Sequence, residues 1–450
     1  MPVNPAAKTT DGKSKVWVLC LMMLVGVATA VRAQNFSSGS DQSDGAFDLT
    51  GTASGTVVNF VSSSFPGNQH ALNIFNFTEI TIPAGVTVQI PGNAVTAPVI
   101  WLASGNVDIE GTIDISGAAG YPASPILDGR RRPIAGPGGF SGGVGGKYDP
   151  SASTPQPLAQ PGDGPTGGAG GGTASIPTPN CGYVQSIVLN QGVGGTFSGN
   201  LFLVPLVGGS GGGGGNFQAA PGALTSTPYA ASGGAGGGAI LIASSTQITV
   251  NGTINANGGQ GGSTGVLSIT YCGVSSPVGT GGGGSGGGVR LAAPTVTGAG
   301  TVTALGGANP GGQSAGNGVV RVEAFTDGFT GTISGTSSMG SPFATFVPTT
   351  PIPSITVVSV GTVTLPQPPT GSLTTPDATL DTTTSSTITI QAANIPVGTV
   401  ITLHVFSDND TDQTVQSTPL AGTLQSSTAT AIVTFPSGYS LNYVKATWSQ

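Results

Sequence analysis

Hydrophobic and polar positions follow one repeated pattern over much of the chain: a short apolar run, a polar turn, and an alternating strand entered through a Gly-Thr pair. Four copies are recognisable, at residues 100–117, 236–262, 286–307 and 318–335. The apolar run precedes the Gly-Thr pair by 11 residues in three copies and by 12 in the second. Such a fixed spacing is typical of stacked units that bury a face only against their neighbours. We therefore predict a parallel β-solenoid-like domain.

The alternating strand of the first copy separates its residues into two sides. A period of two places four apolar residues on one side and four polar residues on the other: Val107, Ile109, Ile113 and Ile115 against Asp108, Glu110, Thr112 and Asp114. The same register predicts equivalent bends at three glycines of the later copies, with three apolar residues pointing into one core: Gly252, Gly300 and Gly331, followed by Ile254, Val302 and Ile333.

Changes in composition divide the whole chain, and the predicted fold class is all-β. We interpret 1–33 as a signal peptide, 34–345 as the glycine-rich domain with an insert at 118–235, 346–370 as a Pro-rich linker, and 371–450 as a small immunoglobulin-like antiparallel β-sandwich. Strands of the sandwich are predicted at 386–392, 399–406, 428–435 and 441–448. Residues 35–100, which alternate at 77–90, are expected to cap the open end of the solenoid-like domain, since an exposed edge promotes aggregation.

The first 33 residues have the layout of a secretory signal. Three lysines precede an apolar run at 16–27 that is too short to span a bilayer. Small residues follow this run, so a signal peptidase is expected to cleave after Ala30 or after Ala33. An uncleaved membrane anchor is the alternative. We expect a secreted or outer-surface protein with no membrane insertion after signal cleavage.

Composition supports an ordered chain. The 450 residues include 78 glycines and 34 prolines, yet 37% of residues are hydrophobic and only 6% are charged. A disordered chain has the opposite balance of apolar and charged residues, so we predict an ordered, β-rich protein. The net charge of −7 argues against nucleic acid as a partner.

The long glycine runs admit three interpretations. A phosphate-binding loop needs a helix after the run, together with a Lys-Ser/Thr pair or a downstream acid, and no run opens a convincing helix. Flexible surface loops are the second interpretation. Close packing of extended glycine segments is the third, because chains without side chains can approach each other closely. The apolar segment LFLVPLVGG at 201–209 favours some ordered packing.

Three cysteines are present, and Cys20 is lost with the signal. The remaining Cys181 and Cys272 predict one disulfide in an oxidising compartment, with two separate thiols as the alternative. Since the only histidines, His70 and His404, are both distant in sequence from the two cysteines, no metal site on the cysteine pair is expected. No cofactor is predicted.

Alternating carboxylates at 407–412 begin like a calcium loop and make Asp408, Asp410 and Asp412 candidate calcium ligands. Gln413 replaces the glycine expected after the third acid, and Pro419 replaces the glutamate expected at the twelfth position. A solvated hairpin tip is therefore the competing interpretation.

Groups suited to acid–base chemistry are sparse. The acids of the first copy, Asp108, Glu110 and Asp114, fit the paired carboxylates of a glycosidase or the calcium cluster of a lyase. Thr and Asn occupy the matching positions of the second copy, however, and Arg290 and Arg321 lie on a different strand of the unit. A solvated polar face is the competing interpretation, and two histidines support no catalytic triad.

The basic run at 130–132 fits either a contact with an acidic sugar or a solvated loop.

The segments GGGAILIASS…VNGTINANGG, LFLVPLVGGSGGGGG and GGGGSGGGVRLAAPTVTGAGTVTALGG resemble a largely uncharacterised group of bacterial secreted glycine-rich proteins with β-solenoid-like repeats. The resemblance covers roughly residues 70–335 and implies no known active site. The glycine runs are also loosely similar to the glycine-rich domains of some receptor ectodomains, which pack polyglycine helices. That similarity implies ordered glycine packing.

Together these features predict a secreted or cell-surface structural or adhesive protein without catalytic activity, whose partners are surface glycans or other cell-surface components. A polysaccharide-active lyase or hydrolase on a β-helix is the alternative. A third hypothesis is one flat threonine-rich face that binds an ordered surface such as a glycan or ice: Thr249, Thr253, Thr297, Thr301 and Thr303.

Overall fold

The computed structural model describes residues 35–67, 70, 73–93, 95, 97–124, 132–148, 159–172, 191–216, 229–264, 269–271, 274–276, 278–311, 314–343, 353–365, 377–382, 384–407, 413–435 and 438–447. Apart from Asn35, these residues belong to one unit, Phe36–Gln450. Within these ranges the protein is all-β, as predicted, and its only helical element is a 3-10 turn at Ser62–Ser64.

The described residues before position 341 include seventeen strands. In chain order they are β1 (Gly45–Asp48), β2 (Val57–Asn59), β3 (Ile74–Ile82), β4 (Thr87–Gln89), β5 (Val99–Ala103), β6 (Val107–Ile109), β7 (Thr112–Asp114), β8 (Ala239–Ser244), β9 (Gln247–Val250), β10 (Thr253–Asn255), β11 (Ile269–Tyr271), β12 (Val274–Ser276), β13 (Gly288–Gly298), β14 (Thr301–Thr303), β15 (Val319–Phe329), β16 (Thr332–Ser334) and β17 (Thr336–Gly340). Strands β11 and β12 form an antiparallel pair, and the others form two parallel sheets.

The repeat copies lie side by side in register. The Gly-Thr strands form a six-stranded parallel sheet in the order β16-β14-β10-β7-β4-β2. The apolar runs form a nine-stranded sheet in the order β17-β15-β13-β8-β5-β3-β6-β9, with β1 beside β3. Strands β13 and β15 pair without a register shift over Gly288↔Val319 to Gly298↔Phe329. The equal sequence spacing of the copies is therefore also a spatial register.

Part of the segment expected to act as a cap forms an additional copy. Strand β3 pairs with β5 and β6, and β4 pairs with β7, in the same way as the later copies pair with each other. This copy lacks the Gly-Thr signature of the others because its bend is Pro-Ala-Gly. An aromatic cluster lies at this end of the core, where the ring of Phe60 packs 4.8 Å from that of Phe75 and 5.2 Å from that of Trp101.

The predicted inward residues form the core between the two sheets. Val107, Ile109, Ile113 and Ile115 are fully buried, and so are Ile254 and Val302. Ile333 is partly buried and packs against the same core. Direct partners across the six-stranded sheet are Ile113, Ile254, Val302 and Ile333 in succession. The predicted core is thus confirmed.

The glycine runs pack against each other in an ordered bundle, which we call the glycine bundle (the described residues of 117–146, 160–171, 192–195, 208–216, 230–238, 256–262 and 278–288). Along 232–239, backbone N–H groups donate to three neighbouring segments in turn: residues 232, 235 and 238 to 115–121, residues 233, 236 and 239 to 137–143, and residues 234 and 237 to 282–285. A period of three matches an extended helix with three residues per turn. The close-packing interpretation therefore holds for these runs.

Glycine is required in this bundle because neighbouring backbones occupy the space of a side chain. A Cβ atom on Gly233 would overlap the carbonyl oxygen of Gly212, and one on Gly236 would overlap that of Gly209. The backbone hydrogen bonds between segments replace those of a regular sheet. The apolar segment within the insert packs on the opposite face of the nine-stranded sheet from the core, where Leu203 is buried and Leu206 contacts an apolar layer.

The second described region is antiparallel. Its strands are β18 (Ser354–Val360), β19 (Val363–Thr364), β20 (Ala378–Thr382), β21 (Ser385–Ala393), β22 (Val400–Ser407), β23 (Gln413–Pro419), β24 (Ala421–Gly422), β25 (Ser427–Thr434) and β26 (Gly438–Thr447). They form a five-stranded sheet, β19-β18-β21-β25-β24, and a four-stranded sheet, β20-β26-β22-β23, which share one core. Four strands match the predicted ones, and the predicted linker contributes β18, which pairs with β21.

Candidate functional site

The outward side of the six-stranded sheet carries a row of threonines, and we call this side the threonine face. Its first row, read across β4, β7, β10, β14 and β16, is Thr87, Thr112, Thr253, Thr301 and Thr332, each the direct partner of the next. Its second row is Gln89, Asp114, Asn255, Thr303 and Ser334. Neighbouring parallel strands lie about 4.8 Å apart, so the first row is a regular array of hydroxyl and methyl groups.

The hydroxyls of this first row are available to a ligand. Thr112, Thr253 and Thr301 are half-buried, and Thr332 is exposed. Within the described part of the chain, no hydroxyl of the first row bonds to another protein group. In the second row, Thr303 donates to Oδ1 of Asn255 at 3.0 Å.

A second polar face lies on the outward side of β6, β9 and the C-terminal half of β13. Its central row is Thr81, Asp108, Thr249 and Thr297. Here two of the threonines accept hydrogen bonds from a neighbouring glutamine. Gln247 donates through Nε2 to Oγ1 of Thr249 at 2.9 Å and to Oγ1 of Thr297 at 3.4 Å.

The five threonines predicted to form one flat face therefore do not all lie on the same sheet, and that prediction is wrong. Thr253, Thr301 and Thr303 belong to the six-stranded sheet, whereas Thr249 and Thr297 belong to the nine-stranded sheet. The chain bends between the two groups at the Gly-Thr pair, which the alternation of polar residues alone does not reveal. Thr87, Thr112 and Thr332 complete the row.

The three acids of the first copy do not converge. Asp108 lies in the row of the second polar face, and Asp114 lies in the second row of the threonine face, where its Oδ1 accepts from the backbone N–H of Ser116 at 3.0 Å. Glu110 lies at the bend between the two faces and accepts from Nδ2 of Asn251 at 2.8 Å. Each acid thus supports its own turn or row.

Two arginines and one glutamate form a buried ionic cluster (Arg290, Arg321 and Glu323) on the side of the nine-stranded sheet away from the core. Arg290 donates to both carboxylate oxygens of Glu323, through Nε at 3.2 Å and Nη2 at 2.9 Å, and Nε of Arg321 donates to Oε1 at 2.5 Å. Nη1 of Arg321 donates to Ser338 at 2.7 Å. Glu323 is fully buried.

Aromatic rings cover this cluster. The guanidinium of Arg290 lies 4.5 Å from the ring centre of Phe343, and that of Arg321 lies 4.9 Å from the ring centre of Phe202. The sequence offered one clue to the cluster, since Arg290 and Arg321 are 31 residues apart at equivalent positions, and they are direct partners in the sheet. The cluster joins β13 and β15 to Phe202 of the insert, and its described ion pairs are with Glu323 rather than with the acids of the first copy.

Two other polar groups are structural in their contacts. Asp44 is buried and accepts from Nε2 of His70 at 2.7 Å and from the backbone N–H groups of Gly67 and Asn76. Arg132 is also buried and pairs with Asp163 at 2.9 Å. The solvated-loop interpretation of 130–132 is therefore wrong for Arg132, and the other two arginines lie outside the described residues.

Several predicted sites fall outside the described residues, namely Cys181, Cys272, Asp408, Asp410 and Asp412. Among the residues that the structure describes, no group of three or more His, Cys, Asp or Glu side chains could hold a metal ion. No helix in the described ranges is long and apolar enough to cross a membrane.

No family model, curated protein or solved structure matches this chain.

Proposed function

We propose that the protein is a secreted or cell-surface structural and adhesive protein that binds surface glycans without catalysing a reaction. In this proposal the stacked copies continue as a β-solenoid, and the antiparallel sheets form an immunoglobulin-like sandwich joined to it. The observation that carries the proposal is the register of the first row of the threonine face, in which five neighbouring strands each present a threonine at the same position.

The arrangement of charge supports binding rather than proton transfer. Glycosidic cleavage needs an acid and a base or nucleophile at a fixed separation on one site. The acids of the first copy belong to different rows, and Glu323 is fully buried against Arg290 and Arg321. A polysaccharide lyase or hydrolase is the competing function, and an assay of product release distinguishes it from a binding protein.

The test is product release from a panel of plant and bacterial polysaccharides, measured as new reducing ends and as unsaturated sugars, with and without calcium. We expect the mature chain to release no more product than its D108N/E110Q variant. Turnover that disappears in this variant would establish the enzyme instead.

Secretion of the protein is tested by a second experiment. N-terminal sequencing of the protein recovered outside the cell should begin at Val31 or Gln34, because cleavage is predicted after Ala30 or Ala33. A chain that retains residues 1–30 and stays with the membrane fraction would contradict secretion.

A further inference from the structure

We infer that the threonine face is a binding site for a linear, uncharged glycan that lies along the first row, perpendicular to the strands. This inference rests on the proposed function and adds the site, the class of ligand and its direction. The first row provides five consecutive threonines in direct register.

The threonine face differs from the other polar face in having a complete row of five threonine hydroxyls that are free of protein partners within the described ranges. On the second polar face, Gln247 bonds to Thr249 and Thr297. On the threonine face, the first-row hydroxyls bond to no other protein group within the described ranges. Polar groups that are held in fixed positions and left unpaired by the fold can exchange water for a ligand at little conformational cost.

The threonine side chains are held rigidly. β-Branched side chains on a pleated sheet have few χ1 rotamers, so little side-chain freedom is lost when the hydroxyls meet a ligand. Every pair along this sheet from β2 to β16 is in simple register. The result is a straight row with a period of about 4.8 Å.

A repetitive polymer fits such a row better than a small ligand. Each hydroxyl contributes one weak hydrogen bond, and linked weak contacts act together once the first has formed. The pyranose units of an extended glycan follow each other at about the spacing of neighbouring strands and present hydroxyls at each step. One sugar can therefore meet one threonine.

Charge restricts the class of glycan. The first row is uncharged, and the second row contains the carboxylate of Asp114. The chain as a whole carries a net charge of −7. An acidic polysaccharide would be repelled, most strongly at low salt, whereas a neutral one would not.

The experiment compares two matched triple variants of the mature chain. The T112V/T253V/T301V variant removes three hydroxyls from the threonine face and keeps the β-branched shape. The T81V/T249V/T297V variant does the same on the second polar face. Binding is measured by depletion from solution onto microcrystalline cellulose, colloidal chitin and immobilised polygalacturonate, and circular dichroism checks that each variant is folded.

We expect the parent to bind cellulose or chitin, the threonine-face variant to bind at least tenfold more weakly, and the control variant to bind within twofold of the parent. Binding to polygalacturonate should be weaker and should increase with salt. No binding by the parent, or equal binding by both variants, would overturn the inference. The inference would also be overturned if the parent bound no glycan but arrested ice growth, and only the threonine-face variant lost that activity. The face would then bind ordered water.

These outcomes are separate from the test of the proposed function. Release of sugar from cellulose or chitin would contradict the non-catalytic role even if binding depended on the threonine face. Binding elsewhere on a non-catalytic protein would contradict the present inference alone.

Discussion

A Cβ atom added to Gly252 would overlap the carbonyl oxygen of Gly111, its counterpart in the preceding copy. The same relationship recurs between Gly300 and Gly252 and between Gly331 and Gly300. We predict that Gly252→Ala destabilises the protein by at least about 1–3 kcal/mol, since a backbone oxygen cannot move aside without shifting its strand. Chemical denaturation followed by circular dichroism measures the change.

The matched control for this substitution is Gly51→Ala. A Cβ atom at Gly51 would meet nothing within 4 Å. This variant should stay within about 0.5 kcal/mol of the parent. Equal midpoints for the two variants would contradict the close stacking of the bends.

The ionic cluster should be sensitive to the loss of its carboxylate. Glu323→Gln leaves Arg290 and Arg321 buried beside each other without a neutralising charge, which costs about 3–5 kcal/mol for a buried pair that loses one partner. We expect a large fall in the midpoint of thermal unfolding. Asp327→Asn, an exposed position on the same strand, is the control and should have little effect. A parent-like E323Q variant would show that the cluster contributes little to stability.

Asp377 predicts a pH dependence in the antiparallel region. Burial raises the pKa of this carboxyl above its ordinary value of 3.8, although its Oδ2 accepts from the backbone N–H of Val444. Well below pH 3.8 the group is protonated in both the folded and unfolded states. As the pH rises through the interval up to the folded pKa, the unfolded state ionises first, so stability falls.

Asp377→Asn should therefore stabilise the protein at neutral pH, because the amide remains uncharged and can still accept from Val444. The gain should disappear as the pH falls below about 3.8. Denaturation at a series of pH values measures it, with Asp381→Asn as the control, because Asp381 is exposed on β20, the strand that follows Asp377. A gain that does not change with pH would exclude ionisation as the cause.

The cysteine pair remains a prediction from the sequence. We expect Cys181 and Cys272 to be joined in the mature protein, because an oxidising compartment favours pairing of the two cysteines that remain. A free-thiol assay on denatured, unreduced protein should detect almost none. Two titratable thiols per chain would contradict the disulfide.

The fold was predictable where side chains alternate against a core. The inward set around Ile254 follows from a period of two, and the spacing of 31 residues between Val289 and Val320 corresponds to direct pairing of β13 with β15. Such patterns are visible because burial acts on each side chain separately. The copy at Ile74–Gln89 was missed because its bend lacks the Gly-Thr signature.

The glycine bundle was less predictable, because glycine carries no apolar pattern. The glycine-rich sequence around Gly233 and Gly236 would look the same in a flexible loop and in a packed segment. Only the three-residue period of their backbone hydrogen bonds distinguishes the two states, and that period depends on which segments become neighbours.

The candidate site was predicted in part. Thr253 and Thr301 were expected on an outward face, and they are direct partners on one. The sequence could not separate them from Thr249 and Thr297, since a bend changes the sheet to which a residue belongs without interrupting the alternation. The ionic cluster was also not predicted as a unit, because Glu323 pairs with Ala292, which lies two residues along the strand from Arg290.

The register of the threonine row is the central claim, and cysteine cross-linking tests it most directly. Paired cysteines at Thr253 and Thr301 would be direct neighbours about 4.8 Å apart, which is within the Cα separation of a disulfide. Cysteines at Thr253 and Thr303 would be two residues out of register and beyond about 7 Å. We expect mild oxidation to join the first pair and not the second, as identified by mass spectrometry of linked peptides. Cross-linking of the second pair alone would contradict the stacked register.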